Sequence, residues 1–170
     1  MLSESARATA AAESRFRITA PNSLPRSVKV VALDVPSEKT VKHLAAHGWR
    51  SASFFTASAF ASAPHTTAEF SMQGWLSDLT GRTKNLIDEV ASADLMVMIA
   101  SAGENAQAAA IIGEACQLHH VMTTALVLGA ENAAEEPMAQ TLAQLRPYAN
   151  MLVTAASEDY IADMLTALRA

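Results

Sequence analysis

A chain of 170 residues has the length of one domain and can bury a substantial core. With 51% hydrophobic and 17% charged residues, it has the composition of a globular protein, which excludes an intrinsically disordered chain. The formal net charge of -5 argues against a nucleic-acid partner. The sequence shows neither a membrane-spanning apolar run nor a secretory signal, which predicts a cytoplasmic protein with no membrane partner.

The chain is predicted to consist of an N-terminal arm, residues 1–27, and an α/β domain, residues 28–170. Val28–Val35 is a β-branched run typical of a strand. Ser37 is expected to cap the helix that follows and ends at Gly48. The later elements are predicted as a strand over 51–56, an irregular segment over 57–78, a helix from about Gly81, a strand over 95–100, a helix over 105–119, a strand over 122–128, a helix beginning at Pro137, a strand over 151–155 and a helix over 158–169 that Ser157 caps.

The regular alternation of strands and helices predicts the fold class. Such a pattern requires a parallel sheet with helices on both faces. We therefore expect a single doubly wound α/β domain, a Rossmann-like or flavodoxin-like three-layer sandwich of about five parallel strands in the order 2-1-3-4-5. The irregular segment over 57–78 is typical of a functional loop, a mobile loop or a concealed edge strand.

The loop after the strand over 95–100 is the first candidate for a ligand site. In open α/β sheets, ligands lie outside the carboxyl ends of the strands and against a helix N-terminus. The loop keeps Gly103, with Ser101 and Asn105 as hydroxyl and amide donors, but it also carries an acid and does not spell a complete phosphate-binding motif. The candidate ligand-binding residues are Ser101, Ala102, Gly103, Glu104, Asn105 and Gln107, together with Asp34 and Ser37 from the first strand-helix turn.

The first strand-helix turn lacks the glycines that let backbone amides approach a phosphate closely. Pro36 removes one backbone donor, and the acids Asp34 and Glu38 would repel an anion. The turn is therefore interpreted as a capped helix start. Asn105 is likewise expected to cap the helix after the second loop.

No other group of residues predicts catalysis, a metal site or a cofactor. His43 and His47 share a helix face, as metal ligands do, but no third ligand accompanies them. Cys116 lies on an apolar helix and is expected to be a small core residue. We predict no catalytic residues, no metal and no cofactor.

The order of these elements resembles the second part of the GTP-binding domain of FtsZ, the bacterial relative of tubulin. The resemblance covers Asn85–Leu168, and the first strand, helix and second strand fit more loosely. It rests on four features in the same order. These are a strand that follows an Ala-Asp pair, a strand that begins with Thr, a helix that ends in Leu-Arg and leads into a strand, and a last helix that begins with acidic residues. The corresponding segments are Ala93–Val97, Thr123–Val127, Leu145–Val153 and Glu158–Leu165.

The departures from this family determine what the resemblance implies. The family's phosphate loop, G-G-G-T-G-T-G, is replaced here by Ser101–Gln107, and the first glycine-rich loop by Asp34–Thr40. The sequence given also ends at the helix after which the family continues into a second domain. The resemblance thus implies a non-catalytic, FtsZ-like domain that acts through an unidentified protein partner or through self-association.

A second resemblance offers an alternative. Ile99–Asn105 is similar to the phosphosugar loop of the sugar isomerase (SIS) fold, roughly S-x-S-G-E-T. Two expected hydroxyls are replaced by Ala102 and Asn105. The alternatives are therefore a phosphosugar-binding or isomerase domain and a small-molecule sensor, both using the same loop.

Overall fold

A seven-stranded sheet forms the centre of the computed structural model, which describes residues 25–57 and 75–170. Most of the predicted N-terminal arm and most of the predicted irregular segment lie outside the described residues. The strands are β1 (Val28–Ala32), β2 (Ala52–Thr56), β3 (Trp75–Asp78), β4 (Thr83–Asn85), β5 (Leu95–Ser101), β6 (Met122–Leu128) and β7 (Met151–Ala155).

Helices cover both faces of this sheet. Successive side chains of a strand point to opposite faces, so each central strand contributes to two cores. Val97 of β5 packs in one core with Val41 and Ile161, whereas Met98 packs in the other with Ile112. We call the two sides the α1/α5 face and the α2/α3/α4 face. The helices are α1 (Val35–Ala45), α2 (Leu86–Ala91), α3 (Ala108–Leu118), α4 (Glu135–Leu145), which continues into a 3-10 turn (Arg146–Tyr148), and α5 (Glu158–Ala167).

The strand order is β4-β3-β2-β1-β5-β6-β7. Strands β1, β2, β5, β6 and β7 are parallel, whereas β3 and β4 form an antiparallel hairpin beside β2. The predicted α/β class is confirmed. The prediction of about five parallel strands in the order 2-1-3-4-5 was wrong for the sheet as a whole, because two further strands extend it beyond β2.

The hairpin was predicted only in part, because its strands are short and partly exposed. A concealed edge strand was one interpretation of residues 57–78, where β3 lies, but β4 was not predicted. The helix predicted from about Gly81 is instead a turn, in which Gly81 has a φ of +82°, followed by β4. The helix begins only at Leu86, where the Asn85 side chain accepts a hydrogen bond from the amide of Ile87 at 3.0 Å. A polar three-residue edge strand carries almost no alternation of apolar residues, so the helical spacing that follows it dominates the pattern.

Several other helix ends also differ from the prediction. The helix predicted over 105–119 spans Ala108–Leu118, and the helix predicted to begin at Pro137 begins at Glu135. The last helix ends at Ala167, and although Ser157 is its N-cap residue, the serine side chain makes no capping hydrogen bond. Helix ends are weakly specified by sequence because the last turns can be satisfied in several ways.

The core confirms the interpretation of Cys116. Its side chain is fully buried on the α2/α3/α4 face, and burial raises the pKa of the thiol to about 12. A thiol that stays protonated at neutral pH is a poor nucleophile and a poor metal ligand.

None of the helices in the described ranges combines the length and the apolar character needed to cross a membrane.

Candidate functional site

The candidate site lies at the carboxyl ends of β1 and β5, which are neighbours in the sheet. The chain leaves β1 through α1 to reach β2 on one side, whereas β5 continues to β6 on the other. The connections therefore diverge between β1 and β5, and this is where open α/β sheets form a ligand crevice. The structure places all the candidate residues in or beside the two loops that line this crevice, the loop after β1 and the loop after β5.

Asp34 joins the two loops. Its side chain is 2% exposed and accepts three hydrogen bonds. Oδ1 accepts from the amide of Ser37 at 2.8 Å and from the hydroxyl of Ser101 at 2.9 Å, and Oδ2 accepts from the amide of Ser101 at 2.7 Å. The carboxylate thus lies between the N-terminus of α1 and the end of β5, surrounded by donors. This is the environment that a bound anion would require.

The N-cap of α1 is Asp34, so the prediction that Ser37 caps this helix was wrong. Ser37 occupies the third helical position and completes a capping box, in which its hydroxyl lies 3.3 Å from the amide of Asp34 and donates to the Asp34 carbonyl at 2.9 Å. An aspartate followed three residues later by a serine is the sequence pattern that could have predicted this capping box.

Most of the backbone amides after β5 already donate to protein acceptors. Ser101 donates to Asp34, and the amides nearest the start of α3 bond within the turn. Amides that are already bonded cannot hold a phosphate unless the loop rearranges. The bonds are Ala102 to Leu128 O (2.8 Å), Gly103 to Thr141 Oγ1 (3.1 Å), Glu104 to Ser101 O (3.1 Å), Ala106 to Gln144 Oε1 (2.6 Å), Gln107 to Asn105 Oδ1 (3.0 Å), Ala109 to Ala106 O (2.9 Å) and Ala110 to Gln107 O (3.1 Å).

Two α4 side chains fix this loop, and sequence reasoning missed both. The Thr141 hydroxyl, 1% exposed, accepts from Gly103 and donates to the carbonyl of Glu104 at 2.9 Å. Gln144, three residues further along the helix, holds the amide of Ala106. The sequence does place a threonine and a glutamine three residues apart, on one face of the helix. The neighbouring sequence, however, does not indicate which backbone groups they bind.

Gly103 itself is required by the conformation and packing of the turn. Its φ of +87° lies in the left-handed region that favours glycine. A Cβ at this position would also lie 3.3 Å from the Cβ of Pro137, because the turn packs against α4. A glycine is therefore required at this position for structural reasons that do not involve a ligand.

The remaining candidates lie at the rim of the crevice. Glu104 and Gln107 are exposed. Asn105 is not the helix cap that the sequence predicted, because Gln107 occupies the N-cap position of α3 and makes no capping bond with its side chain. Asn105 instead closes a local turn through its bond to the Gln107 amide. Ala102, half-buried, packs against the core on the α2/α3/α4 face.

The chemistry available in the crevice is that of a buried carboxylate held by its own chain. A phosphate placed here would meet this charge and would compete for the same donors. Within residues 25–57 and 75–170, no group of three or more His, Cys, Asp or Glu side chains is placed to hold a metal ion.

No protein-family model matches the chain, and no match is found among curated proteins. Among solved structures, the chain is similar to the crystal structure of translation elongation factor SelB from Methanococcus maripaludis in its apo form, with 11% sequence identity and a TM-score of 0.44. The match covers 84% of this chain and 36% of the SelB chain. The likeness assigns the chain to no family.

Proposed function

We propose that this chain is a non-catalytic α/β domain that acts by self-association, and that its switch-point crevice does not bind a nucleotide. One observation supports the proposal that the crevice binds no nucleotide. The Asp34 carboxylate accepts three hydrogen bonds at the place where a phosphate would need those donors. This observation also counts against the phosphosugar alternative, because both ligands are anions. The FtsZ-like interpretation and the cytoplasmic location remain predictions from the sequence.

The surface proposed for self-association is the open edge at β7. Among the described strands, β7 has one neighbour, β6, so the backbone groups on its other side have no strand partner. Its sequence, MLVTA, contains no charge and no proline. Proteins usually protect exposed edge strands with charges, prolines or bulges, and an unprotected edge is a template for pairing with another strand.

Apolar side chains lie beside this edge on the α1/α5 face. Met122 is 61% exposed and Met151 42% exposed, and strand alternation places both on the same face as Val153. We call Met122, Met151, Val153, Tyr160 and Met164 the β7 edge surface.

Tyr160 and Met164 belong to this surface because of the way in which α5 is anchored. Glu158 faces α1, since its carboxylate bonds Thr40 of that helix. Tyr160 follows Glu158 by two residues, about 200° around the helix, and Met164 lies one turn beyond it. Both side chains therefore lie on the flank away from α1, and Tyr160 is 48% exposed.

A second copy of the chain is the partner that fits this edge. In antiparallel pairing about a two-fold axis at Val153, that residue lies opposite its own copy, Met151 opposite Ala155, and Leu152 opposite Thr154. All these residues are uncharged, so the paired strands bring no like charges together despite the net charge of -5 on each copy. Because the same edge is used by both copies, the contact closes on itself and gives a dimer rather than a filament.

The test is to measure the molar mass in solution by light scattering coupled to size-exclusion chromatography. The full chain is expected to be a dimer, and Met151→Lys, which places a charge on the paired edge, a monomer. Val35→Lys is the matched control, because Val35 is also apolar and 59% exposed but lies at the start of α1. A wild-type monomer, long polymers, or dissociation by both variants alike would contradict the proposal.

A further inference from the structure

Two histidines at the carboxyl end of α1 are oriented by hydrogen bonds that the proposed function does not use. His43 lies in the last turn of α1, and His47 lies two residues beyond the end of that helix at Ala45; both side chains are exposed. Their ring centroids are 5.2 Å apart, with an angle of 67° between the ring planes. The pair lies at the carboxyl end of α1, and His43 faces Glu158 of α5.

Each ring has its Nδ1 atom against an oxygen acceptor. His43 Nδ1 lies 2.8 Å from Oε2 of Glu158, and His47 Nδ1 lies 3.1 Å from the carbonyl oxygen of His43. An ionised carboxylate and a carbonyl only accept hydrogen bonds, so Nδ1 must carry the proton in each ring. In the neutral imidazole, the lone pair is then on Nε2, the atom that metals bind.

Glu158 is itself held in place. Its other oxygen, Oε1, accepts a hydrogen bond from the hydroxyl of Thr40 at 2.7 Å, and Thr40 is 5% exposed on α1. The carboxylate that orients His43 is therefore anchored to the same helix that carries His43. A carboxylate or carbonyl bonded to the second ring nitrogen is the usual support of a metal-binding histidine, because it fixes the tautomer and raises the basicity of the ligand.

Contrary to the expectation from the sequence that no metal binds, we propose that His43 and His47 form a surface site for a divalent transition-metal cation such as Zn²⁺, bound by the two Nε2 atoms, with Glu158 as a positioning residue. Imidazole nitrogens are ligands that Zn²⁺, Cu²⁺ and Ni²⁺ all accept. The structure supplies two protein ligands from its described part, so water fills the other positions and the affinity is modest. The site does not depend on the state of the crevice or on self-association.

The test is a calorimetric titration of the full chain with Zn²⁺ at neutral pH. The experiment uses a His65→Ala background, because that histidine lies outside the described residues. His43→Ala and His47→Ala should each weaken binding by at least about tenfold. His47→Ala leaves the bond between His43 and Glu158 in place, so its effect cannot come from separating α1 and α5. The chain provides its own control in His119 and His120, which are adjacent rather than four apart and end a different helix.

Glu158→Gln tests the positioning role. This variant keeps an oxygen acceptor but removes the charge, and Zn²⁺ binding should weaken about tenfold while both ligands remain. The ¹⁵N shifts of the imidazole nitrogens should report an Nδ1–H tautomer for His43 in the metal-free protein. The inference is overturned if the wild-type chain binds Zn²⁺ no more tightly than His43→Ala, if His119→Ala with His120→Ala causes the same loss, or if His43 is an Nε2–H tautomer.

Discussion

At the scale of single residues, the Asp34 carboxylate is the centre of the crevice. It caps α1 and also holds the amide and hydroxyl of Ser101, so one side chain satisfies donors from two loops. Buried donors and acceptors are costly when they lose their partners, and a hydrogen bond to a charged group contributes more than one between neutral groups. The crevice is therefore stabilised from within, without a ligand.

Replacing Asp34 should reveal this contribution. In Asp34→Asn, one oxygen becomes an amide nitrogen that cannot accept from the Ser101 donors, so unfolding free energy should fall by about 2–3 kcal/mol in urea melts. Asp94→Asn is the control, because the Asp94 carboxylate also accepts from a backbone amide, that of Ser27 at 2.8 Å, but at an exposed position. Asp94→Asn should lower the free energy of unfolding by about 1 kcal/mol or less. Equal losses in the two variants would show that Asp34 has no special role.

At the scale of elements, α1 and α5 are joined by Glu158. The pKa of this carboxyl is lowered most by the hydrogen bond from the Thr40 side chain and next by the hydrogen bond from His43. Together these outweigh burial, which raises the pKa. Because the folded pKa is below the unfolded one, the ionised carboxylate contributes stability above the unfolded pKa, and that contribution is lost as the pH falls through the folded pKa.

The stability difference between the wild-type chain and Glu158→Gln should therefore depend on pH. It should begin to shrink at about pH 4.3, the ordinary value for a glutamate, and disappear at lower pH, where both side chains are neutral. Since the carboxylate is partly exposed, the effect should also weaken with added salt. Urea melts between pH 3 and pH 6 measure this, and a difference that stays constant over the range would rule out the ionised contact.

The elements also show what the sequence could and could not predict. The strands Met122–Leu128 and Met151–Ala155 were predicted with the observed bounds, because each is a continuous apolar or β-branched run. The hairpin was predicted only in part: an edge strand was one interpretation of the segment that contains β3, but the short polar edge strand β4 was missed. In the crevice, the loop positions were predictable, but the partners Thr141 and Gln144 were not. They lie nearly forty residues from the amides that they bind, and only the folded chain brings them together.

At the scale of the whole molecule, the carboxyl end of the central strands and the β7 edge of the sheet have different properties. The carboxyl end of β1 and β5, where nucleotide-binding folds place their ligand, is closed by internal hydrogen bonds. The β7 edge is uncharged and carries exposed apolar side chains. This contrast favours a domain whose surface, rather than its crevice, performs the function.

The most direct test of this account is an isothermal titration of the wild-type chain with GTP. Because the Asp34 carboxylate accepts the donors that a phosphate would need, we expect binding no tighter than the millimolar range, about -4 kcal/mol. A parallel titration with a sugar phosphate should give the same result. Micromolar affinity for GTP would contradict the account, and micromolar affinity for the sugar phosphate would favour the phosphosugar-binding alternative instead.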